Sequence, residues 1–384
     1  MVKTVVVLGA SLGGVPVAHH LLKHTAPLVE DLKVILVAPN SDFYWNLASV
    51  RGILPGMFSD DKMFFPIEPL FSKYPSHQFE FVLGKAASMD PNQNSVTVKT
   101  NDGKTRTIPY HTLVIATGSS AREGIPFKNL STTGETKSKL HEWQAKIKAA
   151  RSIVVAGAGT TGLETAGELA EEYAKTGLKQ ITVINNGLPF GDNVRKDIRE
   201  GAVSELEGLG ARYIDARVNA VSDHKGQKLV DVTLPDGTIQ TIVTDVYLPA
   251  FGVTANTEYV PDHMLDKRRQ VKQTTFLRAE GYDNIFVIGD AGNLEPQMAV
   301  STDNQLSHIV KGLQAYLTGK AVPEYNPSNK VMFGASIGKN RGIGQMGNWK
   351  IYSLMIWYAK GRTLGTNKAG DIAAGKRTIH EDKW

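Results

Sequence analysis

Two glycine clusters in this chain have the spacing of phosphate-binding turns. The complete one follows the apolar run 153–156 and reads Gly157-Ala158-Gly159-Thr160-Thr161-Gly162. In such a G-x-G-x-x-G turn the first glycine permits the bend, the second lets the backbone approach a pyrophosphate, and the third lets a helix pack on the strand. The N-terminus of that helix then faces the phosphates. This cluster therefore predicts a dinucleotide-binding turn between a strand and a helix.

The other cluster, Gly9-Ala10-Ser11-Leu12-Gly13-Gly14, lies 148 residues earlier and follows the apolar run 5–8. Ser11 replaces the middle glycine, and its hydroxyl can donate a hydrogen bond to a phosphate oxygen. The alternative for either cluster is an ordinary strand–helix turn without a ligand. Because two such units occur in order, each between a strand pattern and a helix pattern, the sequence favours two dinucleotide-binding units.

Neither unit has the acidic residue that normally binds ribose hydroxyls about 20 residues after the turn. Asn40 and Asn185 stand instead near the ends of the next predicted strands. In the first unit we expect Asn40, or its neighbour Ser41, to make the ribose contact. In the second unit, the missing carboxylate removes the group that would repel a 2′-phosphate. We therefore expect NADPH to bind as well as NADH, with Arg195 or Lys196 as phosphate partners.

Two further motifs follow predicted buried strands. Ala116-Thr117-Gly118 comes after the run 113–115, and Gly289-Asp290 comes after the run 285–288. A carboxylate at a strand tip, followed by a predicted helix from about Met298 to Leu317, suits the hydroxyls of a ribityl chain. The alternative for Asp290 is a helix N-cap. Its place after Gly289, downstream of both glycine clusters, favours the ligand role.

Composition limits the chemistry that the chain can perform by itself. The 384 residues suffice for two or three domains, and none of them is cysteine. A disulfide framework, a cysteine-ligated metal, an iron–sulfur cluster and a thiol nucleophile are excluded, and no histidine spacing typical of a metal site occurs. Any redox chemistry must therefore be carried by a cofactor. No apolar run approaches the ~20 residues of a membrane-spanning helix.

Together these motifs resemble those of the pyridine nucleotide-disulfide reductase superfamily, the flavoproteins with two dinucleotide domains. The resemblance covers nearly the whole chain, but without cysteine the disulfide-reducing members are excluded. Among the remaining members, the chain most resembles the fungal AMID-like branch of the apoptosis-inducing factor family, to which the ferroptosis suppressor proteins belong. Segments similar to that branch are 42–51, 297–299 and 337–345.

The resemblance implies an α/β fold with two Rossmann-like dinucleotide-binding domains and a small C-terminal domain. Residues 1–120 and 255–325 would form the FAD-binding domain, 121–254 the NAD(P)H-binding domain, and 326–384 the C-terminal domain. FAD would be bound by the first and last motifs and NAD(P)H by the middle one. Further residues expected to line FAD are Arg51, Val82, Thr117, Met298 and Ala299.

Two glutamates follow the second glycine cluster at a spacing of one helical turn. By the resemblance, Glu164 would lie near the nicotinamide and flavin rings and Glu168 one turn further on, which makes both candidate catalytic residues. Their alternative is an exposed acidic stripe. The implied activity is transfer of a hydride from NADH or NADPH to FAD and of electrons to a ubiquinone-type quinone. Two alternatives stay open: a redox-gated binding protein like the apoptosis-inducing factors, and a flavin reductase for a specialised metabolite.

The positive charge of the chain is concentrated at its end. Residues 330–384 contain ten Lys and Arg against three Asp and Glu. The aromatic stretch Trp349–Lys360 predicts a helix that covers the flavin or forms a homodimer contact, with a helix lying in a membrane interface as the alternative. We expect a cytoplasmic protein with peripheral contact to membranes or lipid droplets. Nucleic acid is disfavoured as a partner because the basic residues are confined to one short segment.

Overall fold

The computed structural model describes residues 2–328 and 330–384, and it contains strand–helix–strand units together with runs of consecutive strands. The strands are β1 Lys3–Leu8, β2 Leu32–Ala38, β3 Asp42–Tyr44, β4 Phe64–Pro66, β5 Phe79–Asp90, β6 Ser95–Thr100, β7 Thr105–Pro109, β8 Thr112–Ile115, β9 Ser119–Ala121, β10 Ser152–Ala156, β11 Gln180–Asn185, β12 Arg212–Asp215, β13 Arg217–His224, β14 Gln227–Thr233, β15 Ile239–Thr244, β16 Val246–Pro249, β17 Val253–Ala255, β18 Ile285–Val287, β19 Met332–Ile337, β20 Arg341–Met346 and β21 Trp349–Ile351. The α-helices are α1 Gly14–His20, α2 Ser49–Gly52, α3 Ile67–Phe71, α4 Thr133–Ala149, α5 Thr160–Leu169, α6 Lys196–Gly208, α7 Ala299–Leu317, α8 Ser353–Ile356 and α9 Thr366–Ala373.

The first sheet joins strands that lie far apart in the sequence. Its order is β18-β8-β1-β2-β5-β6-β7, parallel from β18 to β5 and antiparallel over the last two pairs. On β1, the side chains of Val5, Val6 and Val7 are fully buried, as expected for a parallel sheet covered on both faces. Because β18 is parallel to β8, the Gly289-Asp290 turn lies at the same edge of the sheet as the first glycine cluster.

The second sheet, β12-β11-β10-β16, is parallel throughout. An antiparallel sheet of β13, β14 and β15 accompanies it, and Val230 and Val232 of β14 pack with Val154 and Ala156 of β10. In each parallel sheet, a glycine cluster follows an interior strand and precedes a helix. The two predicted strand–turn–helix units are therefore confirmed.

The C-terminal part contains an antiparallel sheet of β19, β20 and β21 and the short helices α8 and α9. The helix predicted over Trp349–Lys360 is wrong at its start, because Trp349–Ile351 is the strand β21 paired with β20. Gly347 and Asn348 form the two-residue connection, and Gly347 has a φ of 56°, which suits a tight hairpin turn. The helix begins only at Ser353.

The predicted α/β class is confirmed by these sheets and the helices between them. The predicted helix over about 298–317 is also confirmed, since α7 spans Ala299–Leu317. In the part of the chain that the structure describes, no helix is both long and apolar enough to cross a membrane. The predicted boundaries between domains stay predictions.

Candidate functional site

The first glycine of each cluster makes a turn that other residues rarely adopt. Gly9 has a φ of 104° and Gly157 a φ of 99°, in the region that glycine enters without steric cost. A Cβ atom on Gly14 would lie 1.8 Å from the carbonyl oxygen of Gly9, and one on Gly162 would lie 2.0 Å from that of Gly157. These four glycines are therefore needed for the bend and for close packing of the helix.

Both glycine turns open onto one cavity of about 1140 Å³, which is larger than the ~300–1,000 Å³ of an ordinary small-molecule site. A Cβ on Gly159 would have no neighbouring atom within 4 Å, so the backbone there is open to the cavity. The predicted site residues that line the cavity are Gly9, Ser11, Gly13, Asn40, Ala116, Thr117, Gly118, Gly159, Thr160, Thr161, Glu164, Gly289, Asp290, Met298 and Ala299.

The other predicted site residues do not line this cavity: Gly14, Arg51, Val82, Gly157, Gly162, Glu168 and Asn185. Val82 is buried in the first sheet. The side-chain oxygen of Asn185 accepts a hydrogen bond from the N–H of Ala158 at 2.9 Å, and its amide donates to the Gly187 oxygen at 3.0 Å. Asn185 thus supports the second glycine turn from behind, without contact with the cavity.

The two basic residues expected at a 2′-phosphate are also outside the cavity lining. Arg195 forms an ion pair with Asp197 at 2.9 Å, and Lys196 lies 3.5 Å from Glu200. Both pairs are exposed at the start of α6, and in each pair an acidic side chain balances the positive charge. The structure shows no direct contact between them and the second glycine turn.

Asp290 lies at the cavity wall, where a lysine and a serine hold its carboxylate. The Ser119 hydroxyl donates to Oδ2 of Asp290 at 2.6 Å, and Nζ of Lys128 donates to the same oxygen at 2.7 Å. The N-cap alternative for Asp290 is wrong, because α7 begins after Met298. The carboxylate therefore faces the cavity with acceptor capacity left for hydroxyl donors.

Glu164 is buried at the cavity wall, only 3% exposed. Nζ of Lys360 lies 2.6 Å from its Oε1, and the backbone N–H of Ser336 donates to that oxygen at 2.9 Å. Lys360 also lines the cavity. The alternative of an exposed acidic stripe is therefore wrong for Glu164. Sequence reasoning missed Lys360, because no local pattern links it to a glutamate on α5.

Glu168 is buried too, and it forms a two-pronged ion pair with Arg51. Two guanidinium nitrogens each donate to one carboxylate oxygen at 2.7 Å, and the side chains are 5% and 1% exposed. Arg51 also donates to the carbonyl oxygens of Gly361 at 2.7 Å and Arg362 at 3.3 Å. Burial raises the pKa of Glu168, and the Arg51 guanidinium opposes this rise. The pair therefore ties α5 and α2 to the residues that follow Lys360.

A histidine–carboxylate contact reaches the cavity from the end of the chain. His380 lines the cavity, and its Nδ1 lies 2.7 Å from Oδ2 of Asp303, which is only 5% exposed. The hydrogen bond that His380 donates to Asp303 raises the pKa of His380, while burial and Lys368 oppose the rise. Neither residue was predicted, because nothing in the sequence near His380 indicates which carboxylate it meets.

The arrangement fits bound dinucleotides. Two backbone turns suited to pyrophosphate and a carboxylate suited to ribityl hydroxyls share one cavity. Among residues 2–328 and 330–384, no group of His, Asp and Glu could hold a metal ion. A dinucleotide cofactor bound at these turns would supply redox chemistry, and the protein would position and shield it.

A sequence profile of the pyridine nucleotide-disulphide oxidoreductases matches residues 3–309. The chain belongs to this family. The superfamily that the motifs indicated is thereby confirmed. As a pyridine nucleotide-disulphide oxidoreductase without cysteine, the protein has no thiol of its own for disulphide exchange.

Several related sequences match over nearly their full length. Oxidoreductase ptaL of Pestalotiopsis fici is 38% identical over 366 residues, which are 92% of this chain and 94% of that protein. Ferroptosis suppressor protein 1 of Taeniopygia guttata is 27% identical, with 95% of this chain and 94% of its own length covered. The human ferroptosis suppressor protein 1 is 23% identical, with 94% and 93% covered. The predicted resemblance to the AMID and ferroptosis suppressor branch is confirmed.

Solved structures of this architecture match the whole chain. The sulfide:quinone oxidoreductase of Aquifex aeolicus has a TM-score of 0.77 at 18% identity, covering 97% of this chain and 92% of its own. NDH2 of Plasmodium falciparum, solved with NADH, has a TM-score of 0.75 at 12% identity, with 100% and 99% covered. At these identities the likeness establishes a shared fold, so the predicted Rossmann-like architecture is confirmed.

Proposed function

We propose that this oxidoreductase binds FAD, takes a hydride from NADH or NADPH, and passes the electrons to a ubiquinone-type quinone. The observation that carries the proposal is the single cavity onto which the turns 9–14 and 157–162 both open. Two dinucleotides with their pyrophosphates at these turns would bring their redox rings together inside the cavity. The similar structures support this assignment, since one is named for quinone reduction and another was solved with NADH.

We assign FAD to the turn of the first sheet. Ser11 and Gly13 would donate to its pyrophosphate, and Asn40 would contact the adenosine ribose in place of the missing acid. Asp290 would accept hydrogen bonds from the ribityl hydroxyls. Lys128 stabilises the charge of this carboxylate, as the 2.7 Å contact shows. Met298 and Ala299 line the cavity at the start of α7, so the positive end of this helix dipole would lie near the flavin.

We assign NAD(P)H to the turn of the second sheet, with Gly159, Thr160 and Thr161 at its pyrophosphate. When bound, FAD supplies the hydride chemistry, and the task of the protein is to align the two rings and exclude water. Glu164 forms an ion pair with Lys360, lies just after this turn in the sequence, and would position the nicotinamide. Glu168 does not reach the cavity, so we assign it a supporting role through Arg51.

The proposal is tested by replacing Gly159 with alanine. Its φ of −67° suits alanine and no atom blocks the new methyl group, so the fold should be unaffected. The methyl group would stand where the pyrophosphate approaches, and we expect KM for NADH and NADPH to rise at least about tenfold, the effect of ~1.4 kcal/mol. The measurement is reduction of the bound flavin by each nucleotide without oxygen, followed by its reoxidation with a short-chain ubiquinone.

Gly208→Ala is the matched control, since Gly208 ends α6, neither it nor its neighbours in the sequence line the cavity, and it has space for a methyl group. We expect its nucleotide affinity to equal that of the wild type. Equal affinity in Gly159→Ala would contradict the nucleotide site. Flavin that is reduced but not reoxidised by quinone would favour the redox-gated binding protein or a reductase of another metabolite.

We also propose that the C-terminal part contacts a membrane peripherally. Trp349, Tyr352, Leu354 and Tyr358 are between 68% and 79% exposed, and Trp and Tyr are favoured at the membrane interface. Met355 belongs to the same surface and also lines the cavity. A lipophilic quinone could therefore enter the cavity from the interface. A homodimer would bury the same aromatic side chains, and the mass of the protein in solution distinguishes the two.

A further inference from the structure

His380 is held at the cavity wall by a buried carboxylate with several hydrogen bonds. Besides the contact from Nδ1 of His380, the Asp303 carboxylate accepts the backbone N–H groups of Ile379 at 3.0 Å and His380 at 3.1 Å. The Thr378 hydroxyl donates to it at 3.3 Å. Asp303 thus fixes both the backbone of this segment and the orientation of the imidazole ring.

The contact with Asp303 uses one ring nitrogen of His380 and leaves the other available. Within the described ranges, no residue forms a hydrogen bond with Nε2 of His380, and its side chain is 56% exposed. Because Nδ1 is fixed by the carboxylate, Nε2 carries the proton that can be exchanged. A histidine in this arrangement can give a proton to a bound molecule and regain it from water.

Helix α7 places this histidine beside the proposed flavin site. Asp303 lies four residues after Ala299, the first residue of α7, and residues at this spacing have Cβ atoms ~5–6 Å apart. Ala299 and Met298 line the cavity, as do Ile379 and His380 from the end of the chain. The C-terminal segment therefore forms a wall of the cavity next to the start of α7.

The charged groups around His380 favour its protonated form. Asp303 from α7 raises the pKa of His380, whereas burial and Lys368 from α9 oppose this change. In its own segment, Glu381 is bound by a serine of α7 and Arg377 pairs with an aspartate. These two charges are thus taken up by other partners, and Asp303 is the group that favours the imidazolium.

We propose that His380 donates a proton to an oxygen of the electron acceptor while that acceptor is reduced. This inference rests on the proposed function and adds a residue to it. Reduction of a quinone to a hydroquinone needs two electrons and two protons, and NAD(P)H supplies both electrons and one proton as a hydride. The second proton comes from His380: an O–H bond forms on the acceptor and the Nε2–H bond breaks. The neutral imidazole then takes a proton from water, and Asp303 is the positioning residue.

The test measures the two halves of the reaction separately in the flavin-loaded enzyme, at several values between about pH 5 and 9. NAD(P)H is added without oxygen, and a short-chain ubiquinone follows. For His380→Gln we expect an unchanged rate of flavin reduction and a reoxidation rate about 100-fold lower at acidic pH, the lower end of general acid catalysis. In the wild type, reoxidation slows as the pH rises through the imidazole pKa, and the variant loses this dependence.

His308→Gln is the matched control, because His308 also lies on α7 but bonds the Pro323 carbonyl oxygen at 3.0 Å outside the cavity. It should keep both wild-type rates. In His380→Ala, imidazole added to the buffer should restore reoxidation, which a purely structural loss would not permit. Asp303→Asn should shift the decline of the reoxidation rate to lower pH, since the carboxylate no longer stabilises the imidazolium.

Equal reoxidation rates and equal pH profiles in His380→Gln and the wild type would overturn the proposal and leave the quinone reductase intact. Loss of both half-reactions in His380→Gln, without rescue of His380→Ala by imidazole, would also overturn it in favour of a structural role. Failure of the wild type to be reoxidised by quinone is a different result. It would overturn the proposed function, and the role of His380 with it.

Discussion

Replacing Glu168 with glutamine should strongly destabilise the protein, because the Arg51 charge would remain buried without its carboxylate. Both contacts in this pair are 2.7 Å long, and the two side chains are 5% and 1% exposed. Removing one partner of such a buried pair costs about 3–5 kcal/mol. Since native proteins have a total stability of only about 5–15 kcal/mol, the loss should be a large part of the free energy of unfolding.

A change at the other partner, Arg51→Leu, should destabilise the protein by an amount that depends on pH. It leaves the Glu168 carboxylate and the carbonyls of Gly361 and Arg362 without a donor. Burial already raises the pKa of Glu168 when Arg51 is present, so the unpaired carboxyl group takes up a proton more readily. The cost of Arg51→Leu should therefore shrink as the pH falls, because a neutral carboxyl group is cheaper to bury.

The double variant Arg51→Leu/Glu168→Leu separates the charge effect from the lost hydrogen bonds. No buried charge remains in it, and only two carbonyl groups lose a donor, at about 1–3 kcal/mol each. We expect its cost to be at least about 2 kcal/mol smaller than the summed costs of Arg51→Leu and Glu168→Leu. Urea unfolding of the wild type, the three single variants and the double variant, at neutral and at mildly acidic pH, gives the required free energies.

The exposed pair Lys139–Glu142 supplies the control, since both of its side chains are 41% exposed. Glu142→Gln should change the free energy of unfolding by less than about 1 kcal/mol. The reasoning is refuted if Glu168→Gln is equally mild, or if the costs of the Arg51 and Glu168 changes simply add in the double variant.

Two other outcomes are expected. Burial and, less strongly, Lys73 lower the pKa of His19 to about 3. Below about pH 6.5 the unfolded chain therefore binds a proton at His19 that the folded chain does not bind. Acid then lowers the free energy of unfolding by up to about 1.4 kcal/mol per pH unit. The urea midpoint of His19→Gln should therefore fall less steeply with acid, and an identical slope would contradict this. The double variant Trp349→Ser/Tyr352→Ser should bind phosphatidylcholine–phosphatidylserine vesicles about tenfold more weakly than the wild type. The control Ile239→Ser, at a site 71% exposed on β15, should bind them as the wild type does. Vesicle binding unaffected by the aromatic changes would argue against the membrane contact.

Local sequence patterns were enough to predict the parts of the fold that line the candidate site. Apolar β-branched runs ending at Leu8 and Ala156 form buried parallel strands, because such runs suit a sheet covered on both faces. The glycines at 14 and 162 could be predicted because a Cβ there collides with the preceding turn. The position of Asp290 at a strand tip also placed it correctly at the cavity.

The parts that could not be predicted depend on contacts between distant segments. Lys128, Lys360 and His380 reach the cavity from loops and from the tail, where no periodicity specifies a partner. Resemblance assigned Arg51 to FAD, but in the structure its guanidinium is taken up by Glu168 and two carbonyl oxygens. The hairpin in the tail was predictable in principle, since Gly347-Asn348 between two short apolar runs is a two-residue turn signal.

The acidic residues of α5, and of the turn that follows it, limit which substitutions this sequence can accept during evolution. Glu168 needs a guanidinium at position 51, and Glu164 needs the ammonium of Lys360. A substitution at one member of either pair is tolerated only with a matching substitution at the other. Aligned homologues should therefore show these positions changing together, although the members of each pair are more than a hundred residues apart in the chain.

Glu171 differs from these two pairs, because it accepts the backbone N–H of Lys339. A backbone donor is present whichever residue other than proline occupies that position. Position 339 is therefore free to vary among relatives while Glu171 is retained. Its other partner, the side-chain amide of Asn340 at 3.1 Å, is exposed, so Glu171 depends on position 340 less strongly than Glu164 and Glu168 depend on their buried partners.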